Sequence, residues 1–259
     1  MSVIKIELSY DGTDFSGFQF QPDTRTVQGT LEQSISKLTQ ENVKICGCSR
    51  TDSGVHANNQ VAIFETSASI PPNKFHLALK SYLPNDIEVY SSCEVDKDFH
   101  PSRDAIAKKY TYLFSTNDFL DIRQKRYWCH VRHKLNIEDM QEGCQLIVGK
   151  KDFKSFCAAG SQVKTTVRQV YACNIENLSK NNFKFTIIGD GFLYKMVRII
   201  VGTLIEIGTG NISVNDLQEI IASKDRKKAP YTAPPHGLCL EKVWYNKEIL
   251  QKNLTNMDV

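Results

Sequence analysis

Residues 47–57 read Gly47-Cys48-Ser49-Arg50-Thr51-Asp52-Ser53-Gly54-Val55-His56-Ala57. Upstream, Val43, Ile45 and Gly47 alternate with Lys44, Cys46 and Cys48, the two-residue period of a half-buried strand. Downstream, Gln60-Val61-Ala62-Ile63-Phe64 reads as the returning strand. A loop pinned at both ends by strands, with Gly54 free to take positive φ, can hold Arg50 and Asp52 in one relation.

An aspartate beside an arginine stays ionised, because the opposite charge favours the charged form, so Asp52 suits a nucleophile or a base better than an acid. These residues alone leave a second reading open. Asp-Ser-Gly is ordinary turn chemistry, and an exposed Arg-x-Asp is commonly a solvated pair of little energetic weight.

Working outward, Ile4, Ile6, Leu8 and Tyr10 alternate with Lys5, Glu7 and Ser9, a strand with one buried face that ends at Asp11-Gly12-Thr13. Val27, Leu31, Ile35 and Leu38 recur at helical spacing behind Thr26, a credible N-cap. Beyond the two strands that flank Asp52, Phe75, Leu79 and Tyr82 predict a helix stopped before Pro84, and residues 87–95 a closing strand. The order is β-α-β-β-α-β.

The second half repeats that order with one extra helix. A strand over 108–114 aligns Tyr110, Tyr112 and Phe114, and Ile137, Met140, Cys144 and Ile147 mark a helix. Strands are expected at 167–175 and 183–188, an apolar helix from about Phe192 to Ile207, a capped helix from Ser213, and a last strand over 238–244. Each half thus has the ferredoxin-like, split β-α-β topology that RNA-recognition modules also use. The expected fold is α+β: two such halves, residues 1–103 and 104–245, joined into one continuous, mostly antiparallel sheet with a central cleft, then a polar tail over 246–259 that frays.

Composition narrows the function classes. A chain of 259 residues with 41% hydrophobic residues can build a sizeable core. It contains no apolar run of membrane-spanning length, and Met1-Ser2-Val3-Ile4-Lys5 leads straight into a strand pattern, so a cytoplasmic protein is expected. The eight cysteines are scattered, which suits reduced thiols. Cys129, His130 and His133 are too few for a tetrahedral metal site without a further Cys-x-x-Cys pair, and no metal is expected.

Net charge is only +3, but it is unevenly spread. Residues 1–103 hold 9 Lys and Arg against 13 Asp and Glu, and residues 104–259 hold 23 against 16. Basic clusters at Lys108-Lys109, Arg123 to Arg126, Arg132 to Lys134, Lys150-Lys151 and Arg226 to Lys228 make the second half compatible with a polyanionic partner.

The stretch at 47–57 resembles the catalytic loop of the TruA-type tRNA pseudouridine synthases: Gly, small residues, Arg-Thr-Asp, a small residue, then Gly-Val-His. The run Phe192-Leu193-Tyr194-Lys195-Met196-Val197-Arg198-Ile199-Ile200-Val201-Gly202 is similar to a second motif of that family, and Tyr110 matches a third. Tyr10-Asp11-Gly12-Thr13, Thr26-Val27-Gln28-Gly29, Ser155-Phe156, Thr232-Ala233-Pro234 and His236-Gly237-Leu238 extend the likeness over most of the chain. The chain departs from the family pattern at Phe18, Phe20, Lys195 and Pro101-Ser102-Arg103, where the family often has other basic or aromatic residues.

The resemblance implies an isomerase that converts uridine to pseudouridine in the anticodon stem-loop of tRNA, at positions 38–40, without a cofactor. It implies that Asp52 is the catalytic residue, as nucleophile or base, that Arg198 pairs with it, that Arg50 contacts the RNA and that Tyr110 stacks on the target base. The implied partners are tRNA and a second copy of the chain in a homodimer, with no membrane.

Overall fold

The computed structural model describes residues 1–160 and 163–255. Among the described residues the chain divides into two compact units: 1–105 with 239–245, and 106–238 with 246–255. Both units mix helices with sheets that are mostly antiparallel, as expected of an α+β chain.

The first unit contains β1 (Ser2–Tyr10), α1 (Val27–Thr39), β2 (Cys46–Gly47), β3 (His56–Thr66), α2 (Phe75–Leu79) and β4 (Ile87–Val95). Strand β1 is central, antiparallel to β3 on one side and β4 on the other, and β2 pairs antiparallel with the far edge of β3. This is the split β-α-β arrangement, in which β1 and β2 run parallel with β3 between them. Ile4, Ile6 and Leu8 of β1, Leu31 and Ile35 of α1, and Phe64, Phe75 and Leu79 form the core. The rings of Phe64 and Phe75 meet edge to face at 5.4 Å.

The predicted helix start holds in detail: Thr26 is extended, and its side chain accepts a hydrogen bond from Gly29 N. Two predicted elements are shorter than expected. The upstream strand reduces to Cys46–Gly47, because Val43 N donates to Ser36 Oγ and Ile45 N donates to the buried Glu32 carboxylate of α1. Side chains of α1 thus take the place of a ladder partner. Helix α2 ends at Leu79, and Tyr82 lies beyond it, exposed.

The second unit holds β5 (Ala107–Ser115), β6 (Cys129–His130), α3 (Ile137–Ile147), β7 (Gly149–Asp152), β8 (Val167–Ser179), β9 (Asn182–Gly189), α4 (Met196–Gly208) and α5 (Val214–Ser223). The sheet order is β5-β9-β8-β7, antiparallel throughout, with β6 parallel to the end of β5. Helix α3 packs on α4, α5 and β8. Met140, Cys144, Ile147, Phe185, Ile187, Leu204 and Leu217 are buried there with Tyr112 and Phe114. Ser213 caps α5 in a reciprocal capping box with Asp216.

Strand β10 (Leu238–Trp244) differs from the sequence reading, which assigns it to the second half. Cys239 and Leu240 pair in parallel with His56 and Ala57 of β3, so residues 239–245 group with the first unit. The tail also differs. Residues Lys247–Thr255 form helix α6, started by Asn246, whose Oδ1 accepts from Glu248 N, and anchored by buried Leu250. The expected fraying is corrected for these residues; 256–259 lie outside those described.

The eight cysteines are free thiols. Among the described residues no helix is long and apolar enough to cross a membrane.

The tightest backbone approach of the second unit is at Gly202 in α4, where a Cβ would stand 2.2 Å from the Tyr231 carbonyl oxygen. Gly202→Ala gains about 1 kcal/mol of helix propensity but forces the 231–233 segment away, an overpacking cost of about 1–3 kcal/mol. A net fall in stability is expected, read as a lower urea midpoint by circular dichroism.

Candidate active site

Asp52 sits on a loop between β2 and β3 with no regular structure of its own, yet its neighbours on both sides are bonded. Cys48 N donates to Val61 O (2.8 Å), Phe18 N donates to Thr51 O (3.0 Å), Gly54 N donates to Phe15 O (3.3 Å) and Ser53 Oγ donates to Phe15 O (3.1 Å). A turn closes from Val55 N to Asp52 O (3.1 Å), and Gly54 takes φ +77°, the positive value anticipated for it. Asp52 is partly exposed and Arg50 is exposed.

Two buried side chains complete the fastening. Gln60 of β3, fully buried, accepts from Ser49 N (3.1 Å) and donates from Nε2 to Ser49 O (2.8 Å). Tyr10, at the end of β1, places its hydroxyl 2.7 Å from Thr51 Oγ1 and 3.5 Å from Gln60 Nε2. In the β1–β3 pairing Leu8 lies opposite Gln60, and beyond that pair Tyr10 lies opposite Ala57, a bulge that adds one residue on β3. Residues directly opposite in a ladder share a face, so Gln60 projects on the same side as Leu8 and Tyr10. Burial pushes the Tyr10 phenol well above its ordinary pKa, with the hydrogen bonds to Thr51 and Gln60 opposing that shift in part.

The segment 11–25 that supplies Phe15 and Phe18 is itself tied down. Arg25 makes a bidentate pair with Asp86 (2.7 and 2.8 Å), which raises the guanidinium pKa, and lies 4.0 Å over the Phe15 ring. Phe18, one of the departures from the family pattern, is a core residue packed against Gly47. Phe20, the other, is exposed, with Lys44 Nζ 6.0 Å from its ring centroid.

Tyr110 and Arg198 lie in the second unit. Tyr110, on β5 opposite Ile187, retains 9% exposure, and its ring stands edge to face on Phe192 at 5.3 Å and 87°. Arg198 lies in the first turn of α4, part-buried. Its Nε donates to Ala233 O (2.8 Å), while its own carbonyl accepts from Ala233 N (3.0 Å). The reciprocal pair fixes the guanidinium stem.

Sequence periodicity misplaces the start of this helix. The segment from Phe192 to Lys195 is not helical; Lys195 takes φ +58°, and α4 begins at Met196. Lys195 and Arg198 therefore do not share a helical face, and the Lys195 ammonium lies 4.9 Å over the Tyr194 ring.

The neighbouring motifs prove to be supports. Tyr112 donates its hydroxyl to Pro234 O (2.9 Å), and Gly237 lies so close to the Tyr112 ring that a Cβ would come within 2.7 Å of it. Thr232-Ala233-Pro234 and His236-Gly237 thus hold α4 and β5 in register. Sequence reasoning missed the roles of Gln60, Tyr10 and Thr51. The signal for Gln60 was an uncharged polar residue within an apolar strand; Tyr10 and Thr51 stood inside the quoted motifs. Among the described residues no group of three His, Cys, Asp or Glu side chains is placed to hold a metal ion.

A family model described as tRNA pseudouridine synthase matches residues 8–102 and 144–246. Relatives named tRNA pseudouridine synthase A include those of Clostridium botulinum (strain Eklund 17B), 48% identical, Acetivibrio thermocellus, 45% identical, and Brevibacillus brevis, 44% identical. Each alignment spans 245 residues, covering 95% of this chain and 100% of the relative.

Gly17 tests the fastening. It has φ +93°, and a Cβ there would stand 2.9 Å from Thr51 O. Gly17→Ala meets both the positive-φ cost of about 1–2 kcal/mol and a contact with the backbone next to Asp52. The expected result is reduced stability with faster hydrogen exchange at the amides of Phe18 and Gly54.

Proposed function

Because the chain belongs to the tRNA pseudouridine synthase family, enzymes that isomerise uridine in tRNA to pseudouridine, we propose that it acts on the anticodon stem-loop and that Asp52 is the carboxylate on which turnover depends. The observation that carries this reading is the fastening of the backbone on both sides of Asp52, inside the family-matched stretch. Fastening of that kind holds a reacting group still before its substrate arrives.

The chemistry is an internal exchange of bonds. The target uridine is drawn out of its stack, at a cost of a few kcal/mol offset by contacts in the site. The N1–C1′ bond breaks, the uracil turns while bound, and a C5–C1′ bond forms. C5 loses its proton and N1 gains one, so nothing is oxidised or reduced and no co-reactant is consumed. Asp52 takes part by attack at the ribose or by removing a sugar proton. Both routes need it ionised.

In this reading Arg198, its stem held by Ala233, is the cationic partner of Asp52 during the reaction, as the family resemblance implies. Tyr110, its ring angle set by Phe192, offers an aromatic surface to the uracil; base–aromatic contacts are worth about 1–3 kcal/mol. Arg50, exposed on the same loop as Asp52, meets the phosphates or the space left by the flipped nucleotide. The same proposal includes a homodimer, and sedimentation of a species of one chain mass at micromolar concentration would remove it.

The deciding experiment incubates the protein with an unmodified tRNA transcript in cofactor-free buffer and maps pseudouridine by carbodiimide modification and primer extension. Pseudouridine on the 3′ side of the anticodon stem-loop is expected with the wild type, and none with a folded Asp52→Asn. Turnover by Asp52→Asn removes Asp52 from the reaction, and product elsewhere in the tRNA removes the stem-loop assignment. Salt-sensitive binding without product from any tRNA favours a non-catalytic RNA-binding protein.

Arg198→Met is expected to slow the reaction at least ~100-fold, the effect of losing one preorganised electrostatic group. A near-normal rate takes Arg198 out of the site. Affinity for tRNA is expected to fall linearly in log–log form as salt rises, since Lys and Arg displace counterions from phosphates.

A further inference from the structure

We propose that Tyr10 and Gln60 are positioning residues for the reaction, acting on Asp52 through Thr51 and Ser49 rather than on the substrate. The inference rests on the catalytic reading of Asp52. It goes beyond that reading by assigning the rate to a buried hydrogen-bond chain that includes no charged group.

The chain has a direction. The two bonds between the Gln60 amide and the Ser49 backbone fix the amide's orientation, with Nε2 as donor to Ser49 O at 2.8 Å and Oε1 as acceptor from Ser49 N at 3.1 Å. Nε2 also points at the Tyr10 oxygen, 3.5 Å away. With that oxygen accepting from Gln60, the Tyr10 proton is available to Thr51 Oγ1 at 2.7 Å. Burial, which disfavours the phenolate, keeps that proton in place.

Geometry makes the chain decisive for Asp52. Residues 49 and 51 flank it on its N-terminal side, and neither belongs to a strand. On the C-terminal side the bonds from the Ser53 hydroxyl and the Gly54 amide to Phe15 O already hold the turn. Removing the Tyr10 hydroxyl takes away the side-chain bond of Thr51, while its carbonyl keeps the bond from Phe18 N, about which the peptide can rotate. Thr51 and Asp52 share a peptide plane, so such a rotation swings the carboxylate. Displacement of a reacting group by about 1 Å can cost on the order of 100-fold in rate.

A role confined to folding would lower the amount of active protein without changing the rate of each folded molecule. A role in tRNA contact would raise Kd. Positioning predicts neither.

The test measures single-turnover rates at saturating enzyme, tRNA Kd by filter binding and folded content by circular dichroism. The proteins are wild type, Tyr10→Phe, Thr51→Val, Thr51→Ser, the Tyr10→Phe/Thr51→Val double variant and Asp52→Asn. Tyr10→Phe and Thr51→Val are each expected to lose about 10- to 100-fold in single-turnover rate, with Kd within about two-fold of wild type. Thr51→Ser, which keeps the hydroxyl, is expected to recover most of the rate. The double variant is expected to be no slower than the slower single variant, because both remove one bond.

A wild-type rate for folded Tyr10→Phe overturns the inference, as does a rate loss matched by an equal rise in Kd. Should Tyr10→Phe fail to fold, the contrast between Thr51→Val and Thr51→Ser decides in its place, and equal rates for those two overturn it. Asp52→Asn separates the two levels. If it is inactive while Tyr10→Phe is as fast as wild type, only the positioning role falls; if it turns over normally, the catalytic reading falls and the positioning role with it.

Discussion

The Gln60 amide makes two hydrogen bonds to the backbone of Ser49 from a fully buried position on β3, and much of the first unit follows from that contact. A buried primary amide is costly unless its donors and acceptor are used, so a strand that carries one must find it a partner. Here the partner is the loop before Asp52. Paired opposite Leu8, Gln60 projects on the side of the sheet that Tyr10 also faces, and the Tyr10 hydroxyl extends the fastening from Ser49 to Thr51. An irregular loop thereby acquires the rigidity of the sheet edge beside it.

The second unit solves a similar problem with backbone rather than amide side chains. Arg198 and Ala233 exchange two hydrogen bonds, and Gly202, one turn further along α4, allows the helix to press against the Tyr231 carbonyl. Tyr112 holds the same segment through Pro234. Arg198 therefore has its stem immobilised by the segment it packs against, which lowers the entropy lost in orienting its guanidinium. The motifs around 232–237 are thus understood as supports.

Much of this was legible in the sequence because it is local. Thr26 and Ser213 were readable as caps, since a side chain that bonds an amide three residues on needs no distant partner. The alternation in β1 and the helical spacing of Val27, Leu31 and Ile35 report burial directly. Glycine at position 54 anticipated a positive φ. Periodicity failed where a distant group intervened. Residues 43–45 look like a strand but bond to Glu32 and Ser36, and residues 192–195 look like helix but precede a left-handed Lys195.

By itself, the sequence determined most of the order of elements, the caps Thr26 and Ser213, and the family motif around Asp52, because each depends on residues a few positions apart. Only the tertiary structure decided that Gln60 and Tyr10 fasten the Asp52 loop, that Ala233 orients Arg198, and that strand 238–244 lies along β3. Those relations join residues separated by tens to nearly two hundred positions. Their energy comes from satisfying buried polar groups, which no local pattern of hydrophobic and polar residues records.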